Sequence, residues 1–384
     1  MAGGPFGSDL VSRDYVESGV PVVRGVNLPL TSRFSCDNFV YVSPAKADRL
    51  HLNCAKPGDL VFTQRGTLGQ VGVLPQGMAY EKFLISQSQM KMTVDETKAC
   101  PAFIYYYFRS RGAVSYIESI ALQAGVPHIN LGILRKFPIV APPAVVQRKV
   151  AAVLSAYDDL IENNRQRIAL LERMAEQLYR EWFVRFRFPG YQQAKFNKGL
   201  PADWDIGKLG KVIELGYGKA LKEQDRVPGS FPVYGSSGQI GTHRTSLVDG
   251  PGIIVGRKGN VGAVHWCDGG FFPIDTAYFV KSDVSKFYLF FLLQTMNFLN
   301  NDAAVPGLNR QQAYANDVLI PSGQLIKQFE KLVKPIFEQR SILSRANDRL
   351  SITRDLLLPR LISGKLRVDD LAIQFPPSMQ TERA

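Results

Sequence analysis

Three features of this 384-residue sequence predict an α+β fold with pseudo-twofold tandem repeat, two mixed α/β domains joined by a long antiparallel helical (coiled-coil) pair. One stretch of the first half reappears in the second at a fixed spacing. A strict apolar seam follows each copy. Ahead of each seam, short β-branched and aromatic runs alternate with Gly, Pro and Asn turns.

The repeat is plainest in AGVPHINLGILRKFPIVAPP (124–143) and AAVPGLNRQQAYANDVLIPS (303–322), which align without a gap at an offset of 179. Earlier, PGDLVFTQRGTLGQVGVL near residue 60 and PGIIVGRKGNVGAVHW near residue 254 share one order: apolar strand, basic residue, Gly, polar residue, aliphatic residue, Gly, second strand. Self-similarity at a fixed period means one structural unit used twice.

Residues 1–143 form the first domain, mainly strands, with PAFIYYYFRSRGAVSYI as one short inward-packing helix. Residues 189–321 form the second, with KFYLFFLLQTMNFL as the matching helix. The second copy opens with LPADWDIGKLGKVIELG (200–216), but the first begins at MAGGPFGSDL, so the first domain is expected to lack about one strand.

The central helix spans 144–188 and the distal helix 322–366, followed by a tail, 367–384. Along the central helix Val150, Leu154, Tyr157, Ile161, Asn164, Ile168, Leu171, Ala175, Leu178 and Trp182 alternate steps of four and three. Adding 179 gives the same seam from Phe329 to Leu361. A 3.5-residue period is narrower than a core face and points to helices packing on each other, although each stripe covering its own domain is the simpler alternative.

Antiparallel pairing sets Val150 against Leu361, Trp182 against Phe329, and Asn164 against Asn347, two amides able to satisfy each other and fix register. A parallel pairing strands both amides against Leu343 and Ile168. In the antiparallel pairing Arg354 faces Tyr157 and Arg340 faces Leu171, stems packed and heads snorkelling to water. Asp158 and Asp159, beside the seam, are expected on a solvated helix face.

Composition excludes several classes. With 45% hydrophobic and 11% aromatic residues the chain buries enough surface to fold. The longest apolar run, Phe287 to Leu293, is far short of the roughly 20 residues that span a bilayer. No signal peptide is read at the start, and Cys36, Cys54, Cys100 and Cys267 show neither disulfide nor zinc spacing, so a cytoplasmic location is expected, with no membrane partner and no metal. H-E-x-x-H, Walker A, G-x-S-x-G and amino-methyltransferase signatures are missing, so no catalytic residue is assigned and the chain is read as non-catalytic on its own. The charge of +12, spread over all segments, suits a polyanionic partner touched at several places, but chance produces similar values.

These helices carry a resemblance. PPAVVQRKVAAVLSAYDDLIENNRQRIALLERMAEQLYREWF (142–183) and LLLPRLISGKL (356–366) resemble the conserved regions of the specificity (S) subunits of type I restriction-modification systems. FPVYGSSGQIG, GRKGNVG and PIDTAYFV are similar to segments of that family's target-recognition domains. The resemblance covers nearly the whole chain. It implies two target-recognition domains, each reading half of a bipartite, asymmetric site on double-stranded DNA. It also implies helices that dock methylation (M) subunits, expected in two copies, together with restriction (R) subunits. No cofactor is implied in this chain; S-adenosylmethionine, ATP and Mg belong to the partners.

The repeat also sorts candidate DNA contacts. Two domains reading different sequences share residues for fold and phosphate and differ where bases are read. Arg65-Gly66 with Gly69, and Lys258-Gly259 with Gly262, form a shared turn able to hold a phosphate, although a tight hairpin with a solvated basic residue reads the same. Pro127 with Asn130, and Pro306 with Asn309, suit a structural loop or a helix N-cap. Base-reading candidates in the first domain are Arg24, Asn27, Arg33, Gln64, Thr67, Gln87 and Gln89. In the second they are Ser236, Ser237, Gln239, His243, Arg244, Arg257, Asn260, Arg310 and Gln311. The alternative function is a coiled-coil protein-interaction scaffold without sequence-specific DNA binding; a standalone DNA methyltransferase ranks third.

Overall fold

A computed structural model describes residues 1–121, 127–298 and 307–379. The chain divides into two compact units, residues 1–166 with 345–384, and residues 167–344.

In the first unit, strands β1 (Ala2–Gly3), β2 (Leu60–Thr63), β3 (Val71–Val73) and β4 (Gln89–Met92) form an antiparallel sheet in the order β1-β4-β2-β3. The unbroken apolar run of β2 is explained by cover on both faces. Leu60 and Phe62 face a core with Met90, Phe103 and Phe108, while Val61 faces a second core with Val23, Leu74 and Phe83. A second sheet, built on Val20–Val23 and Phe83–Ile85, contains a parallel pair, Val22 with Leu84. The expected single helix is two, α1 (Pro101–Arg109) and α2 (Arg111–Ile120). Ser110 between them is extended, and its hydroxyl accepts from the Ala113 amide, so the residue that ends one helix caps the next. A short helix, α3 (Leu131–Arg135), and the long α4 (Ala144–Tyr179) follow.

The second unit repeats this plan. Strands β5 (Asp205–Lys208), β6 (Glu214–Tyr217), β7 (Gly252–Gly256), β8 (Val264–Cys267), β9 (Ala277–Lys281) and β10 (Asp317–Ile320) include an antiparallel sheet ordered β6-β9-β7-β8. Again the central strand is sandwiched: Ile253 and Val255 face one core, Ile254 the other. A second sheet has its own parallel pair, Val233 with Phe272. Helices α5 (Lys286–Thr295), α6 (Arg310–Ala315) and α7 (Gly323–Ile362) complete the set. Here β5 pairs with β10; among the described residues of the first unit, 138–141 carry no strand and β5 has no counterpart.

The two long helices contribute to both units, and within each they run antiparallel. In the first unit Val150 and Leu361 share one core, and Asn164 donates to Asn347 Oδ1 at 2.9 Å. The Asn347 amide in turn donates to the Ile161 carbonyl at 3.2 Å, so neither side chain is left unsatisfied. In the second unit Trp182 and Phe329 rings lie 5.9 Å apart and Arg340 meets Glu172 at 3.4 Å. As numbers rise along α4, their partners on α7 fall. The fully buried Phe329 side chain alone contributes roughly 1.5–3 kcal/mol.

Two seam expectations are corrected. Arg354 does not snorkel: its guanidinium is buried against Asp158 at 2.5 Å and also holds Asp355 at 2.9 Å. Burial opposes its charge, but Asp158 and then Asp355 more than offset it and raise its pKa. Asp158 is likewise buried, not on a solvated face, and accepts from the Tyr106 hydroxyl at 2.6 Å. Burial first and Asp158 second push that hydroxyl well up, so it stays a donor. Asp159 pairs with Arg33 and accepts from the Ser378 amide. A buried carboxylate needs such partners, and three-four spacing cannot reveal them.

Candidate nucleic-acid interface

The two shared motifs, far apart in sequence, meet in each unit. In the first, the loop after β2 carries Arg65, Gly66 and Gly69, and Arg65 bridges to His128 while the Gln64 carbonyl accepts from the Ile129 amide at 3.0 Å. In the second, the loop after β7 carries Lys258, Gly259 and Gly262; Lys258 bridges to Gly307, and the Arg257 carbonyl accepts from Leu308 at 2.8 Å. Next to these bridges, Asn130 accepts from the Ile133 amide at the start of α3, and Asn309 from the Gln311 amide at the start of α6. Both loops close hairpins, β2 with β3 and β7 with β8. The left-handed φ values of 109° at Gly66 and 79° at Gly259 explain the glycine beside each basic residue. Arg65 and Lys258 are exposed, so each unit presents a cation at the turn of a hairpin. Pro306 lies outside the described residues.

The other candidates divide by burial. Thr67, Asn260, Ser237, Gln239, Arg244 and Gln311 are exposed, and Gln64 is half-buried. Gln87 is exposed, yet its amide is spent on the Gly7 and Leu10 carbonyls at 2.6 and 2.9 Å. His243 accepts from the Val227 amide at 3.1 Å, which holds its ring against the strand.

Four candidates are corrected. Asn27 is fully buried, accepting from the Arg24 amide and donating to the Ser35 and Asp37 carbonyls, so it shapes the loop. Gln89 is buried and bonded to Ser86. Ser236 is buried, and its carbonyl accepts from His265 at 3.1 Å. Arg33 is ion-paired with Asp159 and lies 3.9 Å from Asp158, a group built into the unit's framework. Arg24 is partly tied down as well, donating to the Asn38 carbonyl. The shared error is that a polar residue closing a loop and one facing a ligand look alike in sequence.

The second unit adds a feature that the sequence did not single out. Tyr217, at the end of β6, has Arg310 4.3 Å and Arg257 5.0 Å above its ring centroid. Arg257 also donates to the Asp275 carbonyl at 2.9 Å and Arg310 to the Leu215 carbonyl at 3.2 Å. They border a recess of about 350 Å³ that Lys258, Tyr278 and Asn309 also line. Among the described residues no carboxylate lines it. Burial, then Tyr217, raise the Tyr278 pKa, keeping its hydroxyl a donor to the Leu308 carbonyl at 3.0 Å.

The helix pair exposes apolar side chains away from its seam: Leu160, Ile352 and Leu356 in the first unit, Leu170, Met174, Leu332 and Ile342 in the second. Among the described residues no helix is long and apolar enough to cross a membrane, and no cluster of His, Cys, Asp and Glu is arranged to hold a metal ion.

Residues 48–173 match the family described as Type I restriction modification DNA specificity domain. Over 90% of its length the chain is 22% identical to the type I restriction enzyme MjaIX specificity subunit of Methanocaldococcus jannaschii, covering 88% of that protein. The putative type I restriction enzyme MjaX specificity subunit of the same organism is 20% identical, over 91% of this chain and 88% of its own length. Among solved structures, the S subunit of a type I restriction-modification system from M. genitalium shares the fold, with a TM-score of 0.58 at 17% identity over 94% of this chain and 92% of that one.

Proposed function

We propose that this chain is a specificity subunit of a type I restriction-modification system and selects the double-stranded DNA on which such a system acts, each unit reading one half of a bipartite, asymmetric site. The observation that carries this reading is the matched geometry of the two units. Each joins a basic hairpin, Arg65 or Lys258, to the loop before a short Asn-capped helix, within a frame whose neighbouring polar residues differ. A shared cation suits a phosphate, which carries no sequence; differing neighbours suit base edges. Residues 1–143 and 189–321 are then the two recognition domains.

The helices have a second role in this reading. Their exposed Leu, Ile and Met side chains suit docking of two methylation subunits, since apolar side chains gain by being taken out of water. The subunit itself is non-catalytic and acts in the cytoplasm. S-adenosylmethionine is bound by the methylation subunits, and ATP with Mg by the restriction subunits.

The same apolar helix faces favour the competing reading, a protein-interaction scaffold without DNA specificity. Duplex binding by the chain with its methylation partner, measured against salt, separates them. We expect preference for a bipartite sequence and a steep loss of affinity with salt as counterions released on binding are restored. Equal affinity for all duplexes leaves only the scaffold.

A further inference from the structure

Arg257, Arg310 and Tyr217 bear on specificity rather than on fold. We propose that these three residues of the second unit form a guanine-reading site, the two guanidinium groups held over the tyrosine ring to meet O6 and N7 of one guanine in the major groove. This rests on the reading above that each unit contacts DNA.

The first argument is rigidity. A flexible surface arginine loses several rotors on reading a base. Here each is already positioned, by the Tyr217 ring on one side and by one carbonyl, Asp275 or Leu215, on the other. A guanidinium has five N–H donors, so one carbonyl bond from each, with Arg257 also bonded to the Tyr278 hydroxyl, leaves donors for the recess. A site held in its productive geometry wastes less free energy on binding. Guanine is the base whose major-groove edge shows two acceptors side by side, the pattern that a guanidinium fork matches.

The second argument is the repeat. A phosphate-holding cation should recur in both units, and it does, as Arg65 and Lys258. The three residues above it do not recur. Matching the hairpin motifs puts Gln64 at the position of Arg257. The offset of 179 puts Leu131 at that of Arg310. The register of β1 on β4 and of β6 on β9 puts Gly3 at that of Tyr217. One frame therefore keeps its phosphate cation and replaces the whole guanidinium platform, as expected of residues that set sequence and not of residues that hold a backbone.

The test uses the chain assembled with its methylation partner. Mapping methylated bases first gives the target, and one half must contain a guanine. Duplexes carrying 7-deazaguanine at each guanine in turn remove N7 alone. At one position the wild-type complex should lose roughly threefold to tenfold in affinity, about half of one bidentate contact, because O6 is still met. Arg257→Gln and Arg310→Gln should relax preference at that position only, and the deaza substitution should cost these variants little more. Unchanged reading of the other half-site shows that the variants are folded, and the base-analogue arm needs no variant at all.

A target half without guanine, or no sensitive position, overturns the proposal. So does equal weakening by Arg257→Gln on every duplex, which marks a phosphate clamp. A wild-type complex with no sequence preference instead brings down the reading of the previous subsection, and this one with it.

Discussion

The two units meet the helix pair at equivalent places with opposite chemistry. In the first, Asp158 and Arg354 form a buried ion pair that draws in Tyr106, with Arg33 alongside. Carried over by 179, those two positions in the second unit are Phe337 and Ala175. Phe337 is buried against Trp266 and Phe287, with ring centroids 4.8 and 5.1 Å away, and Ala175 is fully buried. At this pair of positions one unit thus joins its domain to the helices by charge and the other by aromatic packing. A buried ion pair is costly to desolvate and gains mainly in geometry, whereas an aromatic cluster gains from area with looser demands on direction.

That contrast is open to attack by mutation. The largest effect is expected for Asp158→Ala, which leaves the Arg354 guanidinium buried without its main counter-charge and the Tyr106 hydroxyl with only its longer bond to Ser155; chemical denaturation should show a loss of about 3–5 kcal/mol. Transplanting the other unit's solution, Asp158→Phe with Arg354→Ala, should lose less than the single change, because no charge is left unpaired. A double variant less stable than Asp158→Ala would mean that the two solutions are not interchangeable.

An intermediate effect belongs to the amide pair. Asn164→Leu alone leaves the Asn347 side chain short of a partner and should cost about 1–3 kcal/mol, while Asn164→Leu with Asn347→Leu should be far milder. A double-mutant cycle measures the difference, and additive losses would show that the amides act independently. The smallest effect is expected at Arg340, whose partners Glu172 and Asp268 are both open to solvent. Arg340→Ala should shift stability by about 1 kcal/mol or less, and a loss as large as that of Asp158→Ala would erase the distinction between the two units.

Legibility followed the same divide. Helix seam, antiparallel sense and the Asn164–Asn347 contact could be read because apolar spacing and a symmetric repeat leave few registers for two buried amides. The joining of the basic hairpin to the Asn-capped loop was half legible: both motifs stood out, but their contact runs through backbone amides and carbonyls, which carry no residue signature. Asn27, Gln89, Ser236 and Arg33 were misjudged because loop closure and ligand binding draw on the same polar residues. Tyr217 went unnoticed because its matched residue, Gly3, lies in a strand of only two residues that the sequence could not align.

By itself, then, the sequence determined that one unit is used twice and that its helices pair in opposite directions, since periodicity is a property of order along the chain. Only the tertiary structure decided which polar groups are consumed in holding the units together and which remain for a partner. A side chain's hydrogen-bonding capacity is spent on whichever groups folding brings within about 3 Å, and those groups lie far away in sequence.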